Sequence, residues 1–237
     1  MTTATYAKRK GELETYFDRT AVDAWARLTS DAPVGRIRRT VRAGRDAMRE
    51  TLLSWLPDDL RGCRLLDAGC GTGALALAAA RRGADVLAID VSSTLVGLAQ
   101  ERAAKDYGSG SIEYRVGDML DASLGHFDAV VAMDSLIHYD ADDIARALGT
   151  LAPRVSGPML ITIAPRTFLL ETMRMMGQFF PKGDRAPAIV PVSQTRLAAA
   201  MARQTSLAEH QIVTSTRISR SFYISEALNI DRKGRRS

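Results

Sequence analysis

Cysteine is scarce in this 237-residue chain, with Cys63 and Cys70 the only two. Two thiols cannot build the disulfide framework of a small secreted domain, and alone they cannot ligate a metal. Both read as small buried or loop residues. Histidine is nearly as scarce, at three residues, and no Asp/Glu run has the spacing of a cation loop, so no protein-held metal is expected. No uncharged apolar stretch reaches the roughly 18 residues of a membrane span. The first ten residues, Met1 to Lys10, hold no apolar core of a secretory leader, which points to a cytoplasmic protein. Internal repeats and low-complexity linkers are missing as well.

What is present is the composition of a globular domain, 46% hydrophobic and 25% charged. The length suits one domain with an appended helical part. The formal charge is +5, which suits an acidic substrate or an anionic surface without naming either. Much of the excess sits in Arg36, Arg38, Arg39, Arg42 and Arg45 and in the tail Arg232-Lys233-Gly234-Arg235-Arg236. On a helix Arg38, Arg42 and Arg45 share a face, and the tail reads as a frayed, solvated end.

The most informative stretch is Leu65-Leu66-Asp67-Ala68-Gly69-Cys70-Gly71-Thr72-Gly73-Ala74-Leu75. It reads as a buried strand running into a glycine-rich turn, where Gly69, Gly71 and Gly73 allow sharp turning and close approach to a ligand. The next apolar run, Val86-Leu87-Ala88-Ile89-Asp90, ends in a carboxylate. An acid at the end of the second strand can accept from two ribose hydroxyls, so an adenosine-containing cofactor is expected. Charge separates the two main choices. A dinucleotide pyrophosphate wants bare amides and no nearby anion. S-adenosylmethionine carries an ammonium and a sulfonium, which suit Asp67 at the loop entrance. Gly69, Gly71 and Ala74 also fit the dinucleotide spacing, but Asp67 opposes that reading.

Around this motif strands and helices alternate: strand 63–68, helix 73–82, strand 85–90, helix 93–105, strand 111–116, strand 127–133, helix 141–151, strand 158–164. The pattern predicts an α/β, Rossmann-like, mostly parallel seven-stranded sheet with helices on both faces. Right-handed crossovers put the glycine loop, Asp90, Asp118 and Asp134 on one edge. Two final strands, 207–214 and 217–225, are expected as an antiparallel pair after a helix over 194–203. Residues 1–57 are expected as an N-terminal helical cap, with helices over 6–28 and 37–56, and residues 58–237 as the core. Leu13, Tyr16, Phe17, Ala24 and Leu28 are the best apolar set on the first helix. An insert at about 165–192 is rich in Met and Phe, whose apolar positions wrap around much of a helix.

The glycine segment resembles motif I of the class I methyltransferases. Val116-Gly117-Asp118-Met119 and Phe127-Asp128-Ala129-Val130-Val131-Ala132-Met133-Asp134 fit later motifs of that superfamily. The resemblance implies S-adenosylmethionine as cofactor, held by Asp67, Gly69, Cys70, Gly71, Asp90, Val91, Asp118, Met119, Met133 and Asp134, with Asp118 beside the adenine amino group. Glu14-Thr15-Tyr16-Phe17-Asp18, Trp25, the arginine stretch 36–45 and Asp134-Ser135-Leu136-Ile137-His138-Tyr139 are similar to the magnesium-protoporphyrin IX O-methyltransferases of chlorophyll and bacteriochlorophyll synthesis. That likeness implies methyl transfer to a propionate of a magnesium porphyrin, with the metal arriving inside the substrate. It implies Tyr16 as a group that holds the propionate; His138, after the fourth strand at the edge facing the donor methyl, and Arg166, just after the fifth, are placed to hold it too, and Met173 and Met176 of the insert suit a large flat substrate. It also implies a cytoplasmic protein free to touch the photosynthetic membrane and neighbouring pathway enzymes.

Other classes share part of this pattern. An O-methyltransferase of a quinone-pathway phenol would use the same cofactor residues, with His138 as base. A nucleic-acid amino methyltransferase would carry Asn/Asp-Pro-Pro-Tyr after the fourth strand, where this chain has Met133-Asp134-Ser135-Leu136; no nucleic-acid partner is expected.

Overall fold

The computed structural model describes residues 4–19, 35–103, 107–165, 188–220 and 222–234. Trp25, Arg166, Met173 and Met176 lie outside them, as does most of the expected insert. The sheet has seven strands: β1 (Arg64–Ala68), β2 (Asp85–Asp90), β3 (Ser111–Val116), β4 (Ala129–Ala132), β5 (Met159–Ile163), β6 (His210–Arg220) and β7 (Tyr223–Arg232). Their order is β3-β2-β1-β4-β5-β7-β6. The first five run parallel, and β7 enters antiparallel between β5 and β6. The chain reverses direction between β1's two neighbours, so the crevice beside β1 opens at the carboxyl ends of β1, β2 and β4.

Helices cover both faces: α1 (Ala4–Arg19), α2 (Arg36–Ser54), α3 (Ala74–Ala80), α4 (Ser93–Arg102), α5 (Ala141–Leu151) and α6 (Gln194–Met201). One apolar cluster joins Ile144, Leu148 and Leu151 of α5 and Leu197 of α6 to the sheet. The other joins Met48 and Leu52 of α2 to Ala76 and Ala79 of α3 and to Leu65, Val86 and Val131. Polar caps start the helices where the sequence changes period. Ser92 Oγ accepts from Leu95 N at 3.1 Å, and Asp140 accepts from Asp143 N at 2.8 Å.

One expectation about the sheet is corrected. The terminal hairpin closes at the Arg220–Tyr223 pair, not near 215. The polar run Thr214-Ser215-Thr216-Arg217 is the exposed middle of edge strand β6, where Ser and Thr side chains face solvent at no cost. The apolar stretch after it is the buried strand β7, so Arg232 is strand and Lys233 Nζ donates to Ala208 O at 2.6 Å instead of fraying. Met48 and Leu52 of α2 are fully buried, and α1 lies across the crevice.

Candidate active site

β1 delivers Asp67 to the crevice, 1% exposed. One of its oxygens accepts from Ala76 N at 3.0 Å, capping the first turn of α3. Burial pushes the Asp67 carboxyl up to about 7; the Ala76 amide opposes this, Asp90 adds to it and Arg45 opposes it. The loop that follows takes left-handed backbone at Gly69, Gly71 and Gly73. A Cβ on Gly69 would sit 2.3 Å from Ser135 Cβ, so this close approach of two loops admits only glycine.

Asp90 ends β2 at 9% exposure. Its oxygens accept from Gly71 N at 2.8 Å and from Ser92 N at 3.0 Å. Burial raises its pKa, while those amides aim the carboxylate and favour its ionised form. Cys70 is buried beside it, with its thiol pushed up by desolvation.

The crevice between these groups is a cleft of ≈ 440 Å³, lined among others by Asp67, Gly69, Cys70, Gly71, Asp90, Val91, Met119, Met133, Asp134 and His138. This is the size of a small-molecule site. Of the expected cofactor residues, Asp118 alone is not on this wall. The N-terminal helix engages it instead: Tyr6 Oη donates to it at 3.0 Å and Lys10 Nζ pairs with it at 3.0 Å. The same helix reaches α5 through Thr5 Oγ1, 3.1 Å from Asp143. At its other end Asp18 accepts from Ser92 Oγ at 2.6 Å and Thr94 N at 3.2 Å. α1 is thus strapped over the crevice at three points, and Leu13 and Phe17 become its roof.

His138 ends a short 3₁₀ turn, Leu136–His138, after β4. It is 8% exposed, lines the cleft, and its Nδ1 lies 3.4 Å from Ala188 O. Tyr16 is not on the cleft wall. Its ring stands edge-on to Phe17, with centroids 5.1 Å apart. The tyrosine that stands beside the His138 turn is Tyr6, stacked on Tyr139 at 5.0 Å, with its hydroxyl pKa raised by burial and by the nearby acids.

Sequence reasoning named Asp134 and Arg45 separately but missed that they meet, with Tyr223, in one group. Asp134 has φ 55, left-handed backbone that an Asp adopts at a cost. Its carboxylate pairs with Arg45 Nη1 at 2.6 Å and accepts from Tyr223 Oη at 3.0 Å, and its amide donates to Thr162 Oγ1 at 2.7 Å. Gly44 makes the approach of Tyr223 possible, since a Cβ there would lie 2.5 Å from the ring. The only available signals were Gly44 within an arginine-bearing helix and the Asp at the end of β4.

The glycine cradle, the capping acid of β1, the terminal acid of β2 and the cleft between them fit an adenosyl cofactor with a cationic amino-acid end. They define a class I S-adenosylmethionine-dependent methyltransferase. A methyltransferase-domain family model matches residues 65–155, and a model described as "Magnesium-protoporphyrin IX methyltransferase C-terminus" matches residues 132–232. A magnesium-protoporphyrin O-methyltransferase of Rhodobacter capsulatus is 46% identical over 224 residues, 94% of this chain and 96% of that one. A namesake from Synechocystis sp. is 31% identical over 70% of this chain and 73% of its own. The crystal structure of magnesium protoporphyrin IX methyltransferase from Synechocystis PCC 6803 with bound SAH superposes with a TM-score of 0.80 at 26% identity, over 94% of this chain and 100% of that one. The chain belongs to the magnesium-protoporphyrin O-methyltransferase family.

Proposed function

We propose that the protein transfers the methyl group of S-adenosylmethionine to a propionate carboxylate of magnesium protoporphyrin IX, a step of chlorophyll or bacteriochlorophyll synthesis. The observation that carries this reading is the Rhodobacter relative of that name, matched across 94% of the chain. The second family model supports it over a quinone-directed enzyme, because it covers residues 132–232, well beyond the glycine loop and Asp90.

When bound, S-adenosylmethionine supplies an electrophilic methyl group on a sulfonium. Asp90 would accept from its ribose hydroxyls, and Asp67 would face its cationic amino-acid end. A propionate is already ionised at neutral pH, so the chain needs no strong base. His138 donates from its imidazole to one carboxylate oxygen and leaves the other free to attack. Alignment supplies most of the rate. A dry cleft would favour the loss of charge that methyl transfer brings. Leu13 and Phe17 on the strapped helix keep water out.

Tyr16, Arg166, Met173 and Met176 remain part of the proposal as groups that grip the porphyrin. No helix among the described residues is long and apolar enough to cross a membrane. The apolar substrate and the +5 charge support a cytoplasmic protein that touches an anionic membrane at its surface and meets neighbouring enzymes of the pathway there. The test is incubation with S-adenosylmethionine and magnesium protoporphyrin IX, followed by mass spectrometry. A porphyrin heavier by one methyl group is expected; no gain, alongside methylation of a quinone-pathway phenol, overturns the reading.

A further inference from the structure

Two buried hydroxyls behind the cleft converge on one residue of its rim. Thr162 is fully buried in β5, between Ile161 and Ile163, where an apolar side chain would serve the sheet as well. A buried hydroxyl needs partners, and Asp134 supplies them. Thr162 Oγ1 accepts from Asp134 N at 2.7 Å and donates to Asp134 Oδ1 at 3.4 Å. Tyr223, the first residue of β7, is 8% exposed. Its Oη donates to Asp134 Oδ1 at 3.0 Å and Oδ2 at 3.2 Å. Neither residue is on the cleft wall. Asp134 itself sits in left-handed backbone, which persists in an Asp only where the surroundings enforce it. That conformation sets the direction in which the chain leaves β4, and so the course of the Leu136–His138 turn. Other contacts pin the turn from other sides. Ser135 Oγ donates to Ala68 O at 2.7 Å, and Val190 N donates to Ile137 O at 2.8 Å.

We propose that Tyr223 and Thr162 are positioning residues for methyl transfer: by holding Asp134 in left-handed backbone they aim the His138 imidazole at the carboxylate that accepts the methyl group. The identity of that carboxylate rests on the function proposed above. Residues of this kind change the rate and leave binding alone. An imidazole displaced by about 1 Å still meets the substrate but no longer aligns the attacking oxygen. Arg45 shares the Asp134 carboxylate but also lines the cleft, so the two hydroxyls isolate the effect where the guanidinium does not.

The experiment uses the full chain. Tyr223→Phe and Thr162→Val each remove one hydroxyl with little change of shape, and melting curves set an assay temperature at which the variants are folded. Either change should lower kcat by about tenfold, with KM for magnesium protoporphyrin IX and affinity for S-adenosylhomocysteine held within roughly twofold. Thr162→Ser, which keeps the hydroxyl, should recover kcat. In a His138→Ala background Tyr223→Phe should cost nothing further, because its effect passes through the imidazole. An equal loss in both backgrounds, or weaker S-adenosylhomocysteine binding with kcat unchanged, overturns the proposal. A second readout needs no porphyrin. The chain has three histidines, and the imidazole nitrogen signals of His138 are those absent from the spectrum of His138→Ala. They should shift in Tyr223→Phe, while those of His210, at the far end of β6 from the Arg220–Tyr223 pair, stay in place. Unmoved His138 signals overturn the proposal. A wild type that does not methylate magnesium protoporphyrin overturns the proposed function instead, and leaves the imidazole spectra to decide the positioning.

Discussion

Arg45 on α2 and Asp134 after β4 meet at 2.6 Å across 89 residues of chain, with side chains only 20% and 8% exposed. Their pairing ties a helix that precedes the sheet to the loop that carries His138. The Asp134 carboxylate is held in left-handed backbone by this partner and by Tyr223.

Removing one partner leaves a mostly buried charge. Arg45→Ala is expected to lower unfolding free energy by about 2–3 kcal/mol, below the full figure for a buried pair because Arg45 retains some solvent. Tyr223→Phe is expected to cost about 1 kcal/mol, one hydrogen bond. Urea unfolding of both single variants and the double variant gives the coupling. A double-variant cost equal to the sum of the singles would show the two contacts to be independent.

Asp90→Ala should weaken S-adenosylhomocysteine binding by roughly tenfold or more, since hydrogen bonds to a charged acceptor carry about 1.5–3 kcal/mol each. Calorimetric titration of the folded variant measures it; unchanged affinity would remove Asp90 from the ribose.

Asp67 gives the cofactor site its pH dependence. Its carboxyl is raised from 3.8 to about 7 by burial. The folded protein without cofactor therefore keeps a proton that the unfolded chain loses above pH 4. This group's contribution to stability falls as pH rises from about 4 to 7 and is constant above. The ammonium of the cofactor's amino-acid end prefers the ionised acid, so affinity for S-adenosylhomocysteine should rise up to about pH 7, with proton release on binding below it. Calorimetry in two buffers of different ionisation heat reads the proton, and Asp67→Asn should flatten the profile. A release that persists in that variant would place the titration elsewhere.

His138→Ala should cut turnover by roughly 10²-fold while S-adenosylhomocysteine affinity holds. Tyr6→Phe and Tyr16→Phe separate the two tyrosines. Loss of the Tyr6 hydroxyl should loosen α1 and weaken the cofactor, whereas loss of the Tyr16 hydroxyl should raise KM for the porphyrin alone. Turnover that survives in His138→Ala with an earlier melt would make His138 a packing residue.

Asp118 serves the strap in this structure. Asp118→Asn should speed proteolysis within residues 4–19 by removing the charge that Lys10 and Tyr6 share. Cofactor added in excess should slow that cleavage in the wild type; equal rates with and without it would detach α1 from the site.

Features carried by neighbouring residues were legible in the sequence. Asp67, the glycine turn and Asp90 lie on two adjacent strands with period and punctuation intact, so their chemistry follows from their order. The place of His138 on the cleft wall was legible through the motif after β4. Tyr6, Lys10 and Asp18 were not, because nothing local distinguishes them on a helix without a clean stripe; their partners lie 112, 108 and 74 residues away. The terminal hairpin was misplaced because an edge strand tolerates the polar residues that usually mark a turn. Arg45 was seen as a charge, yet its partner was fixed only by the packing of Tyr223 onto Gly44.

The final strand fills a slot between β5 and β6, and its first residue, Tyr223, reaches Asp134. During synthesis β6 has no neighbour to join until residues 223–232 have left the ribosome, and the loop at Asp134 waits for the same event. The cleft's roof comes from the chain's first helix and its latch from the last strand. A nascent chain therefore presents no finished site until α1 and β7 are both available, and a polypeptide stopped before β7 carries every glycine and aspartate of the cofactor motifs with the Asp134 loop still untied.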